Sequence, residues 1–196
     1  MKRTITILLS LLIVMLALAS CKKDSDTYKM PYEPGVTVDN EGFLSHKKLW
    51  DTAAVKNYSY TYFFHNRNYP SENCKIDVTV KDGKVNEYKI LEFDKMPVAE
   101  IPESEEGAYK EFCDSVERSN DFLLIDEIYS SINKTIENSI KKFEEYPDCY
   151  YADYSFDFSE EAPFLSRCFY KVLLMQEDLV GNGATIEIKI ENFTEN

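Results

Sequence analysis

Seven large residues, Ile125, Ile128, Tyr129, Ile132, Ile136, Ile140 and Phe143, recur with a 3.6-residue period. No other run in the chain constrains the fold as tightly. A helix with one apolar stripe and an otherwise polar surface must lay that stripe on another apolar layer. Asn120 or Asp121 is placed to cap its start, and Pro147 bars its continuation.

The flanking segments read as the layer it needs. Before the helix, Tyr58-Ser59-Tyr60-Thr61-Tyr62-Phe63-Phe64 alternates large with small residues and is dense in strand formers. A polar loop over 65–73 follows, then Ile76, Val78 and Val80 alternate with Asp77, Thr79 and Lys81. Asp82-Gly83 supplies a two-residue hairpin turn. Beyond it the apolar parity changes between Val85 and Tyr88, which predicts a bulge near Asn86 or Glu87.

Residues 94–107 read as a connection and Tyr109–Glu117 as a short helix. After the main helix come strands at Tyr150–Phe158, Cys168–Met175 and Ala184–Phe193, with Gly181-Asn182-Gly183 in the last turn. A short helix over Lys47–Ala54, carrying Leu49 and Trp50, leads the domain. The sum is an α+β domain, ββ(β)–α–βββ, with a mostly antiparallel sheet of five to six strands and one long helix packed on it.

The first residues set the address. Met1-Lys2-Arg3 is cationic, Thr4 to Ser20 carries no charge, and Leu18-Ala19-Ser20-Cys21 ends the run. The apolar stretch falls short of the roughly 20 residues of a helical span but fits a secretory signal. That end resembles the lipobox of bacterial lipoproteins. The resemblance implies cleavage after residue 20, a diacylglyceryl thioether on Cys21, and a membrane anchor made of lipid. Residues 22–42, with Pro31, Pro34, Gly35 and few large aliphatics, then read as a flexible linker, and 43–193 as one globular domain.

Losing Lys2 and Arg3 with no acid moves the formal charge from -13 to -15. A chain that acidic repels nucleic acid and anionic lipid. The expected setting is extracytoplasmic, on the outer membrane or cell surface in a Gram-negative cell.

Four cysteines remain after Cys21: Cys74, Cys113, Cys149 and Cys168. Outside the cytoplasm an even number favours disulfides, with Cys149–Cys168 and Cys74–Cys113 the preferred pairs and free buried thiols the alternative. Their spacing, with only His46 and His65 as histidines, argues against a metal site. No phosphate loop or dinucleotide fingerprint occurs, and no cofactor is expected.

The order of parts is similar to a family of small bacterial secreted lipoproteins that share a domain without an assigned activity. The likeness rests on Trp50, the Tyr58, Tyr60 and Tyr62 strand, Val78-Thr79-Val80-Lys81-Asp82-Gly83-Lys84-Val85, Ile125-Asp126-Glu127-Ile128-Tyr129 and Phe156-Asp157. It departs at Leu124, where such helices carry a Thr cap, and at a longer 94–119 connection. It implies fold and location, and adds no site.

Catalysis has few candidates. A Cys74–His65 dyad is one, with His46 beside the linker and His65 at a loop tip. Asp153 and Asp157 share one strand face but lie about 13 Å apart at 3.3 Å per residue, too far for paired-carboxylate hydrolysis. Tyr58, Tyr60 and Tyr62 either pack under the helix or form a platform for sugar rings or a protein.

The leading expectation is a non-catalytic envelope lipoprotein that binds a protein or envelope component through its sheet or acidic loops. An inhibitor of a basic enzyme such as a lysozyme is a narrower form. The competing class is an envelope hydrolase using Cys74 and His65 or surface carboxylates.

Overall fold

The computed structural model describes residues 32–68, 73–160, 162–174 and 183–196. Eight strands form one sheet: β1 (Gly35–Thr37), β2 (Tyr58–Asn66), β3 (Cys74–Lys81), β4 (Lys84–Phe93), β5 (Met96–Pro97), β6 (Tyr150–Phe158), β7 (Leu165–Leu174) and β8 (Gly183–Glu195). Their order is β1-β6-β7-β8-β2-β3-β4-β5, antiparallel except for β1 beside β6. Among the described residues three α-helices accompany it: α1 (Asn40–Ala53), α2 (Glu106–Arg118) and α3 (Ile125–Glu145). The fold is α+β with the sheet dominant.

Two meanders, β2–β5 and β6–β8, meet through the long β2–β8 pairing. Alternation along each strand gives the sheet two unlike faces. One carries Tyr58, Tyr60 and Tyr62, then Ile76, Val78 and Val80, then Ile186, Ile188 and Ile190, all buried. α3 crosses this face with Ile125, Ile128, Tyr129, Ile132 and Ile136 buried against it. α1 adds Phe43 and Trp50, and α2 covers Phe93 with Tyr109 and Phe112.

The hairpin follows its turn chemistry. Asp82 and Gly83 both take positive φ, 52° and 74°, as a two-residue turn of this hand requires. Thr79 pairs with Glu87 but Val80 with Val85, so Asn86 is the extra residue of the expected bulge.

Several boundaries differ from those read in the sequence. The linker ends earlier than residue 42, because β1 pairs by backbone with β6 and needs no large aliphatic side chains. The leading helix starts at Asn40 rather than Lys47, since the Asp39 carboxylate accepts the Gly42 N–H at 2.9 Å and caps it. The 65–73 loop starts two residues late, with His65 and Asn66 still paired to β8; residues 69–72 lie outside the described residues. Within 94–107, positive φ at Asp94 and Lys95 turns the chain back into β5. Met175 and the Gly181-Asn182 part of the last turn lie outside the described residues.

Neither Asn120 nor Asp121 caps α3. They open a 3-10 turn over Asp121–Leu123, and Leu124 holds the cap position without a side-chain bond. The missing cap is supplied from outside the helix. The Tyr58 hydroxyl accepts the Ile125 N–H at 3.3 Å, and the Tyr60 hydroxyl donates to the Leu123 carbonyl. Trp50 Nε1–H donates to Asp126 at 3.1 Å, tying α1 to the same turn.

A second clamp holds the other half of α3. Ile140 stands 40 % exposed, and its neighbour Ser139 takes the buried position. The Ser139 hydroxyl lies 2.6 Å from that of Tyr154 and accepts from Tyr150 at 2.9 Å; Tyr154 also reaches the Thr135 carbonyl at 3.2 Å. Burial pushes Tyr58 and Tyr154 up to about 12, so both hydroxyls stay protonated and neutral through ordinary pH.

Removing either member of the Ser139–Tyr154 pair breaks a buried bond worth about 0.5–1.5 kcal/mol, and loss of Ser139 also strands the Tyr150 hydroxyl. Tyr154→Phe and Ser139→Ala should each destabilise by about 1–2 kcal/mol, and the double variant by clearly less than their sum. Denaturant unfolding reads the cycle; simple additivity would contradict the clamp.

Candidate binding surface

The helices leave the second face of the sheet to different residues. Phe63, His65, Arg167, Phe169, Lys171, Glu187 and Lys189 occupy the odd positions of β2, β7 and β8, between inward neighbours that belong to the core. Neither Phe63 nor Phe169 joins the apolar core, and both are half-buried. Strand pairing sets Arg167 beside Lys189 and Lys189 beside Phe63, and in the next row Phe169 beside Glu187 and Glu187 beside His65.

Cations lie on the rings. The Arg67 and Arg167 guanidinium carbons stand 5.7 and 5.6 Å from the centre of Phe169, and Lys189 Nζ 5.1 Å from that of Phe63. Arg67 is held by its backbone, whose N–H donates to the Thr185 carbonyl at 2.9 Å. Arg167 Nε donates to Glu187 at 2.7 Å and Nη1 to Asp157 at 3.3 Å. Lys189 lies 3.4 Å from Glu187. Burial alone would lift the Glu187 carboxyl, but the Arg167 bond and Lys189 hold it below its usual value. Arg67 makes no ion pair among the described residues.

His65 sits among these charges. Burial, Lys95 and Arg67 depress it most, Lys189 adds to them, and Glu187 opposes. It is in β2, not at a loop tip as the sequence suggested, because β8 extends its pairing to Asn66. Its ring meets Phe63 edge-on at 6.0 Å.

That placement excludes the dyad. Cys74 pairs with Phe64 and is buried in the core, whereas the next residue, His65, points to the opposite face. Burial also pushes the Cys74 thiol up to about 12, far from a nucleophilic thiolate. His46 is not beside a linker but on α1, where its ring stacks 3.6 Å from Phe158 and Nδ1 lies 2.9 Å from the Gly42 carbonyl.

The disulfide pairs are corrected too. Cys74, Cys113, Cys149 and Cys168 are all free thiols, with none at bonding distance. Cys168 pairs with Phe156, while Cys149 precedes Tyr150, whose partner is Leu174. Six strand residues put them about 20 Å apart, against the roughly 7 Å a bridge permits. Cys74 faces the core from β3, and Cys113 interacts with Tyr109 on α2.

The tyrosine platform does not exist as a surface. Tyr58, Tyr60 and Tyr62 are 2, 3 and 6 % exposed, under the helices. Asp153 and Asp157 do lie on the open face, beside Lys171 and Arg167 in register. No group of three or more potential metal ligands gathers among the described residues. A cleft of about 160 Å³ between α3 and the sheet, lined by Tyr62, Phe122, Glu127 and Thr135, is smaller than the about 300 Å³ at which ligand pockets begin. Cys21 lies outside the described residues.

The sequence reading missed Phe63, Arg67, Phe169 and Lys189. Phe63 was the available signal, a large ring at an odd position in a strand whose even positions were already full.

Because the fold depresses His65, its contribution to stability is full above the ordinary value of 6.5 and is lost as the pH falls from there through the lower folded value. NMR titration should place the His65 imidazole below 6.5, and Arg67→Glu should raise it; a value at or above 6.5 would contradict the cationic setting. Comparison with family models, with curated proteins and with solved structures finds no match to any of them, so the functional reading rests on this chain's own residues.

Proposed function

We propose that the chain is a lipid-anchored cell-envelope protein whose globular domain is a non-catalytic binding module, with the uncovered face of the sheet as its working surface. The leader and Cys21 give the address, and the motif order similar to small secreted lipoproteins agrees with it. Among the described residues no helix is long and apolar enough to cross a membrane.

One observation carries the binding reading. The sheet has a complete core on one side, and on the other it displays Phe63 and Phe169 under Arg67, Arg167 and Lys189. Arg and aromatic residues are enriched where proteins meet partners, because they combine large contact area with directional hydrogen bonds. Arg167 spends its N–H groups on Glu187 and Asp157, but Arg67, stacked on Phe169 and without an ion pair among the described residues, can turn its N–H edge to an anionic group. In a chain of net charge -13, clustered cations point to an anionic envelope component. The hydrolase reading has lost its dyad. The inhibitor reading would use the exposed acids of 100–106 instead of this face.

The test is in-cell photo-crosslinking from Phe169, replaced by a photoreactive phenylalanine analogue, with Glu137 on the outer side of α3 as control. Adducts to envelope material are expected from 169 and not from 137. Equal yields from the two positions would contradict the assignment. Intact mass of the isolated protein should show loss of residues 1–20 and fatty acyl groups on Cys21; retention of the leader would refute the address.

A further inference from the structure

Tyr32 opens the described part of the chain, and it does not join the helix layer. Its ring stacks on Tyr151 at 4.7 Å. Lys171 Nζ lies 3.9 Å from the ring centre and bonds to the hydroxyl. Tyr151 alternates with buried Tyr150 and Ala152, and Lys171 with Tyr170 and Val172 of the core, so both belong to the open face. The chain therefore enters its domain across that face.

The entry point and the cationic cluster share one end of the sheet. Lys171 pairs with Thr185, and the Thr185 carbonyl accepts the Arg67 N–H, so Lys171 and Arg67 flank one row. Tyr151 pairs with Leu173 in the row beyond. Phe169 lies two residues along β7 on the other side, under both arginines. Among the described residues, the acids paired into these strand rows are Asp153, beside Lys171, and Glu187, already bonded to Arg167 and near Lys189; Glu33 follows Tyr32 in the chain.

Eleven residue steps separate Cys21 from Tyr32. They reach no farther than about 40 Å, the limit for a fully extended chain. A lipid on Cys21 would hold the domain that close to the bilayer. Docking of a nearby face then becomes an intramolecular event at millimolar effective concentration, where weak attraction suffices. Aromatic rings favour the headgroup layer, and Lys and Arg are drawn to anionic headgroups within a Debye length.

We propose that the tether-proximal end of the open sheet face rests on the anionic bilayer surface, with Tyr32, Tyr151, Phe169 and Leu173 at headgroup level and Arg67 and Lys171 meeting lipid phosphates. The inference rests on the lipid-anchor reading and names the envelope component that this face meets. The chain's average charge argues against anionic lipid, but the distribution of that charge does not. Glu111, Asp114 and Glu117 lie on α2, which packs on the covered side, and repulsion turns that side outward.

The test is amine footprinting of the mature lipidated protein, in detergent micelles and in phosphatidylethanolamine vesicles containing phosphatidylglycerol. Lys171 and Lys189 should acetylate several-fold more slowly in the vesicles. Lys84 at the hairpin tip and Lys110 on α2 should be unchanged. Arg67→Glu should restore much of the labelling. Equal labelling in vesicles and micelles would overturn the inference, as would the same protection on wholly zwitterionic vesicles. Protection found only in native envelope membranes would assign the face to a protein partner and overturn it too. Intact mass reads the anchor separately: fatty acid on Cys21 with unprotected lysines refutes the docking alone, whereas its absence refutes both.

Discussion

The first turn of α3 is finished by side chains that belong to the sheet and to α1. Helix starts leave backbone N–H groups without partners, and most helices solve this with a neighbouring Ser, Thr, Asn or Asp. In this chain Leu124 occupies that place, and the Tyr58 hydroxyl accepts the Ile125 N–H instead. Tyr60 on the Leu123 carbonyl and Trp50 on Asp126 lock the same turn, and Tyr150 and Tyr154 on Ser139 lock the helix farther along. Register, angle and choice of face follow from these bonds. A helix so fixed covers one side of the sheet and leaves the other for different work.

This arrangement also explains the tyrosines at 58, 60, 150 and 154, which share the inner face of β2 and β6 with Phe64, Phe156 and Phe158. Each of these four rings adds apolar area to the core, and its hydroxyl meets a polar group of α3 or the turn before it. The rings were legible in the sequence, but their purpose was ambiguous. Strand alternation says that Tyr58, Tyr60 and Tyr62 share a face, and only the position of α3 decides which face it is.

Local signals transferred well to the structure. The Asp82-Gly83 turn, the bulge at Asn86 and the 3.6-residue stripe of α3 depend on neighbours in sequence, so composition and period reveal them. Features set by distant partners did not transfer. β1 exists because β6 lies beside it, and β5 because the chain reverses at Asp94 and Lys95. His65 left its expected loop because β8 reaches that far. The cysteine pairs failed because parity and strand offset, invisible in a count of thiols, hold them apart. The makeup of the open face was hidden for a related reason: Phe63 and Arg67 lie far in sequence from Phe169 and Lys189 and meet them only through the β2–β8–β7 register.

The most direct measurement is amide hydrogen exchange, residue by residue, on the wild-type protein and on Tyr58→Phe. Dependence of α3 on the sheet predicts faster exchange at Ile125 and through the first turn of the variant, with β7 and β8 protected as before. Unchanged protection at Ile125 would mean that the helix supplies its own start, and the sheet's tyrosines would then not be what fixes α3 to one face.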